Sequence, residues 1–321
     1  MMVLVVCLNP TLQKTLVFKH LREGEVNRSG EYYLDASGKG VNLSRVLGQL
    51  GVSAVQLTHA GGAFRDLFLS LAGKDGVQIA ASDSGSEIRF CTTLLNREKG
   101  TTTELVEEPY PVASETEASV RSLYRNLLQQ ADTVVITGTR TPGYSPGLYS
   151  DMVQMAKEEG KIVILDIRGN DLRASLPFKP DIIKTNLAEF AGTFLDTPIE
   201  RENIQDPSIL QKVEIQFSRL WEEYGVCCIT TNGGEDTLYY TIGHVGRVPI
   251  EKAESSGESL SVLNTTGCGD AFTAGFIAAW KEAGYPGIHT EAFSKHVERW
   301  IRAAHRAALL NALQVRPGRI R

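Results

Sequence analysis

The sequence lacks the features of a secreted, membrane-spanning or nucleic-acid-binding protein. Its five cysteines, in 321 residues, are odd in number and show no C-x-x-C spacing, which favours a reducing, cytoplasmic compartment. No apolar run approaches the roughly 20 residues of a membrane-spanning helix. Lysine and arginine (33) do not outnumber aspartate and glutamate (38), so the net charge of −5 gives no general attraction for nucleic acid or an acidic membrane. Any anionic ligand must therefore be held by a local site.

Metal-ligand spacings and linker segments are also missing. The six histidines show no H-x-x-x-H or cysteine-paired spacing, so the sequence predicts no dedicated metal site. We find no internal repeat, low-complexity tract or Pro/Ser-rich linker. With 42% hydrophobic and 22% charged residues, the composition is that of a globular protein, and a single domain over residues 1–321 is expected. The polar stretch 251–260 is predicted to be an exposed loop.

Short apolar runs recur along the chain and predict buried strands of a mostly parallel sheet. Segments with helical spacing lie between these runs. This alternation predicts a doubly wound α/β fold with helices on both faces of the sheet. The predicted strands are 3–8, 133–136, 162–167, 181–183 and 226–230, and the predicted helices include 114–130, 147–159 and 209–224.

Two other regions have the alternating pattern of half-buried antiparallel strands. They lie within about residues 11–35 and 88–110, and Ile88, Phe90, Thr92 and Leu94 show the period of two. These strands are predicted to lie outside the main sheet, where they would form a small β lid.

The residues that follow the predicted strands are polar or glycine-bearing. Ligands of open α/β sheets bind beyond the carboxyl ends of the strands. Ordinary turn chemistry explains any one of these ends equally well, but five together predict one polar rim. The five ends are Asn9-Pro10, Gly138-Thr139, Asp166, the Lys-Thr-Asn of 184–186 and the Thr-Asn-Gly of 231–233.

The segment NTTGCGDAF at 264–272 is the strongest candidate site. Its glycines permit a tight turn, and the apolar spacing from Phe272 onward predicts a buried helix that begins here. The amides from Gly267 to Asp270 would point outward at a positive helix end and bind an anion. The Asp270 carboxylate could accept a proton from a nearby hydroxyl. The alternative is that Asp270 only caps the helix.

A second glycine-rich segment, DASGKGVN at 35–42, also precedes a helical pattern. Lys39 between two glycines offers its ammonium to a bulky anion, and the alternative is a solvated lysine in a turn. Neither segment fits a common nucleotide motif. A P-loop would need glycine in place of Tyr33 and Ser or Thr in place of Gly40, and the dinucleotide motif would need glycine in place of Leu43 or Phe272.

Taken in order, these segments resemble the ribokinase-like, phosphofructokinase-B type of sugar kinase, in particular its 1-phosphofructokinase and tagatose-6-phosphate kinase branch. The resemblance spans residues 9–311 and is carried by LNPTLQKT, LDASGKGVNLSRVLGQLG, ITGTRTPG, PDIIKTNLAEF and NTTGCGDAF. It implies a ribokinase-like fold and a cytoplasmic kinase that uses ATP and Mg²⁺. The implied acceptor is a ketohexose phosphate of the fructose 1-phosphate or tagatose 6-phosphate type.

The resemblance also implies roles for individual residues. Asp270 would be the base that deprotonates the sugar hydroxyl, and Gly267, Cys268, Gly269 and the Asp270 amide would form the anion hole for the transferred phosphoryl group. The implied phosphosugar ligands are Gln13, Gly38, Lys39, Asn42, Arg89 and Thr139, with Lys39 and Arg89 on the existing phosphate. The residues implied to face the ATP phosphates, the Mg²⁺ network or the nucleotide are Lys184, Asn186, Glu189, Thr231, Gly233 and Asn311.

The sequence departs from the pattern of this branch at a few positions. Gln13 stands where an aspartate is usual, while Arg65 and Asp236 replace glycines. The lid carboxylate could be Glu107 or Glu108. Two alternatives therefore remain: a kinase of an unphosphorylated sugar or nucleoside, and a metabolite-binding regulatory pseudokinase. Small molecules, rather than nucleic acid or a membrane, are the expected partners, and a homodimer through the β lid is implied by the family.

Overall fold

A nine-stranded sheet runs through the centre of the protein in the computed structural model, which describes residues 2–195, 203–250 and 262–321. The predicted loop at 251–260 lies outside these residues. The strands are β1 (Val3–Val6), β4 (Ala54–Ala60), β5 (Gln78–Asp83), β8 (Thr133–Thr137), β9 (Ile162–Asp166), β10 (Ile182–Asn186), β11 (Cys227–Asn232), β12 (Glu235–Thr241) and β13 (His244–Val248).

The order of these strands is β13-β12-β11-β10-β9-β8-β1-β4-β5. Neighbours pair in parallel from β5 to β11, while β12 pairs antiparallel with both β11 and β13. Each predicted strand overlaps an observed one, with bounds that differ by three residues at most, at the end of β10. The mostly parallel sheet predicted from the apolar runs is therefore confirmed.

Helices cover both faces of this sheet. They are α1 (Lys39–Gln49), α2 (Arg65–Lys74), α3 (Thr116–Leu128), α4 (Leu148–Glu158), α5 (Gly169–Ser175), α6 (Leu187–Phe194), α7 (Pro207–Tyr224), α8 (Cys268–Glu282) and α9 (Glu291–Ala312), with a 3-10 turn at Leu176–Phe178. Among the residues that the structure describes, no helix combines the length and apolarity that a membrane crossing needs.

The two sides of each central strand belong to different apolar clusters. In β1, Val3 and Val5 pack with residues of α1, α8 and α9, whereas Leu4 and Val6 pack with residues of α3, α4, α6 and α7. All four side chains are buried. A strand that is buried on both faces has no polar alternation, which explains the continuous apolar runs in the sequence. The doubly wound α/β prediction is confirmed.

A second sheet, which we call the lid, contains β2 (Thr11–Phe18), β3 (Glu31–Ser37), β6 (Arg89–Asn96) and β7 (Thr101–Val106) in the order β3-β2-β6-β7. Its two hairpins, β2–β3 and β6–β7, are antiparallel as predicted, although β3 extends two residues beyond 35. The central pair β2–β6 is parallel, which the prediction of antiparallel strands did not include. β2 follows β1 and β6 follows β5, and since β1 and β5 run in the same direction, so do the strands that continue from them.

Candidate active site

Asp166, the last residue of β9, is a buried carboxylate between two lysines. Lys39 Nζ lies 3.1 Å from its Oδ1 and Lys184 Nζ lies 3.7 Å from its Oδ2. The Thr273 hydroxyl of α8 also donates to Oδ2, at 3.4 Å. Burial alone would raise the pKa of the Asp166 carboxyl, but the Lys184 and Lys39 ammonium groups hold it below its ordinary value. Asp166 therefore stays ionised and fixes two positive charges at the carboxyl edge of the sheet. The sequence analysis noted this polar strand end but gave it no individual role.

Lys39, the first residue of α1, contacts a second carboxylate. Its Nζ lies 3.4 Å from Glu189 Oε1, and its side chain remains 37% exposed. Burial works against a charged ammonium, yet the surrounding carboxylates, Asp166 first among them, raise the pKa of Lys39. The resemblance implied that Lys39 and Arg89 bind one phosphate. In the structure the Lys39 ammonium lies between Asp166 and Glu189, and Arg89 begins lid strand β6.

Asp270 lies in the first turn of α8 and is almost wholly buried. Its Oδ2 accepts a hydrogen bond of 2.9 Å from Asn42 Nδ2. Burial is the largest influence on Asp270 and raises its pKa to about 7, although Lys39 acts in the opposite direction. A carboxylate of that pKa can take up and release a proton near neutral pH, as a general base must. No side chain caps α8, because the N-cap is Gly267, so Asp270 does not act as the helix cap.

The start of α8 has the backbone turn and the nearby positive charge of an anion site. Gly267 has a φ of 81°, a left-handed conformation that favours glycine, and the helix begins directly after it. The Cys268 amide donates to Thr265 O at 3.2 Å. A Cβ placed on Gly269 would lie 3.0 Å from Lys184 Nζ, so the absence of a side chain lets this ammonium approach the helix start closely. First-turn amides carry partial positive charge, and the lysine adds a full charge, so both would attract an anion.

Asn186 and Glu189 form a capping box at the start of α6. The Glu189 amide donates to Asn186 Oδ1 at 2.7 Å, and the Asn186 amide donates to Glu189 Oε2 at 3.2 Å. The other carboxylate oxygen of Glu189 faces Lys39, as described above. Both residues thus lie at the predicted strand end, where they fix the helix start and contribute one carboxylate to the charge cluster.

The remaining residues implied to face the nucleotide occupy two places. Thr231 and Gly233 lie at the end of β11, next to β10, and the Thr231 hydroxyl is 3.5 Å from Thr185 O. Asn311, on α9, has no exposed surface. Its Nδ2 donates to Thr266 O at 2.9 Å, so its side chain supports the turn before α8 and does not face open space.

The residues implied to bind sugar lie both on the lid and on the rest of the protein, which we call the body. Gln13 on β2 is buried and donates through Nε2 to Thr93 Oγ1 at 2.7 Å. Thr139, after β8, accepts a hydrogen bond of 3.0 Å from Asn9. Gly38 is the N-cap of α1 and directly precedes Lys39. The body therefore contributes Gly38, Asn42 and Thr139, and the lid contributes Gln13 and Arg89.

Carboxylates of the lid make two kinds of contact. Glu107 binds within the lid: its carbonyl accepts from Arg89 Nη1 at 2.9 Å, and its carboxylate accepts from the Phe90 amide. Glu104 on β7 instead reaches the body, where it accepts a 2.6 Å hydrogen bond from the hydroxyl of Thr266. The sequence analysis missed Glu104, because its partner lies 162 positions away in the chain.

No cluster of three or more histidine, cysteine, aspartate or glutamate side chains suited to a metal ion occurs among the described residues. The carboxylates of Asp166 and Glu189 are already paired with lysine. A divalent ion at this site would therefore take most of its ligands from phosphate oxygens and water, as Mg²⁺ commonly does.

Comparison with known proteins gives the family of this chain. A family model described as pfkB family carbohydrate kinase matches residues 4–319. The chain belongs to the pfkB family of carbohydrate kinases. It is therefore a sugar kinase, and the charged cluster at the carboxyl edge of the sheet is the candidate active site of a pfkB kinase.

Solved structures share the fold of this pfkB kinase. A possible 1-phosphofructokinase from Thermotoga maritima superposes with a TM-score of 0.79 at 21% identity, covering 96% of this chain and 92% of the other. Phosphofructokinase-2 from Escherichia coli, in complex with substrates and products, gives 0.79 at 17% identity, with coverages of 98% and 94%. A putative ribokinase from Agrobacterium tumefaciens gives 0.75 at 16% identity, with coverages of 99% and 92%. At these identities the likeness shows the fold alone.

Proposed function

We propose that this pfkB kinase transfers the γ-phosphoryl group of ATP to a hydroxyl of a ketohexose phosphate of the fructose 1-phosphate or tagatose 6-phosphate type. One observation carries the proposal: the buried Asp270 carboxylate lies in the first turn of α8, where amides and Lys184 would hold an anion. Proton acceptor and anion site are thus neighbours, which is the arrangement that phosphoryl transfer to an alcohol needs.

In the proposed reaction, Asp270 takes the proton of the acceptor hydroxyl as the sugar oxygen bonds to the γ-phosphorus of ATP. The bond from that phosphorus to the bridging oxygen breaks, and ADP leaves with both bonding electrons. Gly267, Cys268, Gly269 and the Asp270 amide supply the helix start that stabilises charge on the equatorial oxygens. Asn42 donates to the base and so fixes the orientation of its carboxylate.

ATP would lie along the carboxyl edge from α8 toward β11. Lys184 is near Gly269 and would contact the transferred group, while Thr231 and Gly233 lie on the nucleotide side. Asn186 ends β10 and Glu189 lies in the first turn of α6. Both would lie between Lys184 and the nucleotide side of the site. Mg²⁺ would arrive with ATP and neutralise charge on its phosphate oxygens, which suits an edge whose own carboxylates are paired with lysine.

The sugar would lie between lid and body. Gly38, Asn42 and Thr139 would contact it from the body, and Gln13 from the lid. The Lys39 ammonium is next to Asp166, so we assign Lys39 to the transferred phosphoryl group and assign the phosphate already on the sugar to Arg89. Arg89 Nε is buried without a hydrogen-bond partner among the described residues, while its Nη1 holds the lid carbonyl of Glu107. A planar guanidinium suits two-point recognition of a phosphate.

A panel of acceptors tests this proposal. Pure protein with Mg-ATP is assayed for ADP release with fructose 1-phosphate, fructose 6-phosphate and tagatose 6-phosphate, and with free fructose, ribose and adenosine. We expect turnover of at least one ketohexose phosphate. Turnover of unphosphorylated acceptors alone would replace the proposal with the first alternative. Ligand-induced thermal stabilisation without ADP release would favour a regulatory pseudokinase.

Two lid arginines provide a matched pair for the phosphate contact. Arg89→Ala should raise KM for the phosphorylated acceptor by about 10- to 150-fold, the equivalent of a lost hydrogen bond between charged groups. Arg97 lies on the same lid and pairs with Glu31 at its exposed surface, so Arg97→Ala is the control and should leave KM unchanged. Equal effects of the two substitutions would remove Arg89 from the phosphate site.

We also propose that two copies of the chain pair through their lids. By strand register, Tyr32 and Leu105 lie on the same face of the lid, and both are more than half exposed. Leu16 and Leu94 continue this apolar face. A second copy would bury it, and light scattering should then give the mass of a dimer for the wild type and of a monomer for Tyr32→Glu. None of the five cysteines, all of which the structure describes, forms a disulfide, and this fits a reducing, cytoplasmic compartment, as does the ATP requirement.

A further inference from the structure

The last residues of the chain run between the start of α8 and the start of α1. A Cβ placed on Gly267 would lie 3.0 Å from the Gly318 amide nitrogen and 3.4 Å from Pro317 Cβ. A Cβ placed on Gly318 would lie 2.8 Å from Asn42 Cα. Gly318 itself has a φ of 67°, which favours glycine at this contact. The C-terminal segment therefore fills the space between the turn that begins the anion site and the residue that holds Asp270.

Asn311 joins this segment to the turn before α8. Its Nδ2 donates to Thr266 O at 2.9 Å, while its Oδ1 accepts from the amides of Gly318 at 2.7 Å and Arg319 at 3.2 Å. The side chain is completely buried. A second amide makes the same kind of link, because Asn264 accepts from the Thr266 amide at 2.9 Å and donates to Val315 O at 2.8 Å.

Arginines anchor the other side of the segment. Arg316 forms a two-point ion pair with Asp35, a buried carboxylate on lid strand β3. Arg319 contacts Asp35 at 3.1 Å and Asp75 at 2.9 Å. Arg45 of α1 also pairs with Asp75, at 3.0 Å. Because a buried carboxylate is costly without its partners, these pairs hold the segment in one position against the lid and α1.

We propose that the C-terminal segment Val315–Arg319 positions the phosphoryl-transfer site, with Asn311 and Gly318 as its positioning residues. The segment sets the distance between the turn that starts the anion site and Asn42, which orients the base. This inference rests on the proposed function, since it assigns the segment to the site at which that reaction occurs. Displacement of reacting groups by about 1 Å is enough to reduce the rate of transfer by about 100-fold.

The first test measures the effects of Asn311→Ala on kcat and on KM separately. Asn311→Ala removes the link between segment and turn, so kcat should fall by about 10- to 100-fold. The KM of the sugar should stay close to the wild-type value, because Arg89 and Gln13 lie on the lid and are untouched. Gln129→Ala is the control: Gln129 follows α3 and donates to Glu159 at 2.7 Å, near the amino ends of the strands and away from the segment. It should leave kcat unchanged.

A second readout does not depend on activity. Cys268 is the first residue of α8 and the least buried of the five cysteines, so the rate at which iodoacetamide alkylates it reports on the turn. Asn311→Ala and Gly318→Ala should both increase this rate. Gly318→Ala is informative because it leaves the contact of Asn311 with the Cys268 thiol in place but adds a methyl that would lie only 2.8 Å from Asn42 Cα, so the segment and α1 must move apart. In Gln129→Ala, Cys268 should be alkylated at the wild-type rate.

The outcomes distinguish this inference from the proposed function. If kcat of Asn311→Ala falls no further than that of Gln129→Ala, or falls only as far as the folded fraction measured by thermal unfolding, the positioning role is overturned. Unchanged alkylation of Cys268 in both variants overturns it too. If the wild-type protein phosphorylates no acceptor, the proposed function fails, and the alkylation rates still decide whether the segment controls the turn.

Discussion

Asn42 Nδ2 lies 2.9 Å from Asp270 Oδ2, although 228 positions separate the two residues in the chain. The first glycine-rich segment and the second therefore meet at one hydrogen bond. Asn42 belongs to the helix that follows Lys39, and Asp270 belongs to the helix that begins the anion site. A sugar bound against α1 would thus place its hydroxyl next to the base, which makes Asp270 the first residue to substitute.

Asp270→Asn should reduce kcat by about 100- to 10,000-fold, because the amide cannot accept the hydroxyl proton. Sugar binding should change little, since asparagine has almost the same shape and can still contact Asn42. Steady-state ADP release measures kcat, and calorimetry with the sugar alone measures binding. Asp66→Asn is a suitable control because Asp66 is an exposed residue of α2. A kcat within the range of this control would exclude Asp270 as the base.

The pH dependence of kcat/KM should show an acid limb with a pKa of about 7, because kcat/KM reports ionisation of the free enzyme. Asp270 must be deprotonated to act, so kcat/KM should rise with unit slope below that pH and become constant above it. An aspartate base with an ordinary pKa would place the limb near pH 3.8. A profile that is flat from pH 5 to pH 8 would contradict the assignment.

The same raised pKa has a consequence for stability. The folded protein binds the Asp270 proton more tightly than the unfolded chain, so the contribution of Asp270 to the free energy of unfolding is lost as pH rises from about 4 to about 7. Asp270→Asn lacks this dependence. Urea unfolding at a series of pH values should therefore show that the free energy of unfolding of Asp270→Asn increases relative to that of the wild type across this range. A difference in free energy that does not change with pH would contradict the prediction.

Lys39→Met should move the acid limb of kcat/KM to higher pH. The Lys39 ammonium lowers the pKa of Asp270, whereas burial and the Asp166 carboxylate raise it. Removal of the ammonium should therefore raise this pKa further. Lys39→Arg keeps the charge and should keep the limb near its original position. Lys157→Met is the remote control, because Lys157 pairs with Asp181 near the opposite end of the sheet. An unmoved limb in Lys39→Met would show that the two groups do not interact.

Glu104→Ala should weaken the contact of lid and body. The hydrogen bond between Glu104 and Thr266 is exposed, so its loss should raise the KM of the sugar only about 2- to 10-fold. ATP hydrolysis without sugar should increase, because a loosely held lid excludes water less well. Thr266→Val removes the other partner of the same hydrogen bond and should change KM and ATP hydrolysis by the same amounts as Glu104→Ala. A double variant more impaired than either single variant would show that the two residues act separately.

The elements of the fold were largely predictable because each is encoded locally. β1 is buried on both faces and so appears as an uninterrupted apolar run, while α4 and α7 show helical spacing within a residue or two of their observed bounds. The parallel pairing of β2 with β6 was not predictable from either strand alone. It depends on the directions of β1 and β5, which only the assembled sheet determines.

The candidate site was predictable where glycine patterns reveal it, and not where a residue acts through a distant partner. The GCGD segment indicated Asp270 and the start of α8 directly. Asp166 looks in the sequence like any polar strand end, and only its two lysine neighbours, 127 and 18 positions away, show its importance. Asn311 is similar, because its contact with Thr266 depends on packing that no local pattern reveals.

The parallel pairing in the lid brings together Thr11 and Arg89, which are 78 positions apart. Pairing of strands so distant in sequence carries a large loop-closure cost unless other contacts bring their ends together first. We therefore expect a refolding chain to assemble β1, β4 and β5 before its lid, and to regain secondary structure before it regains turnover. For the same reason, no single continuous peptide from this chain would reproduce the lid when grafted onto another protein.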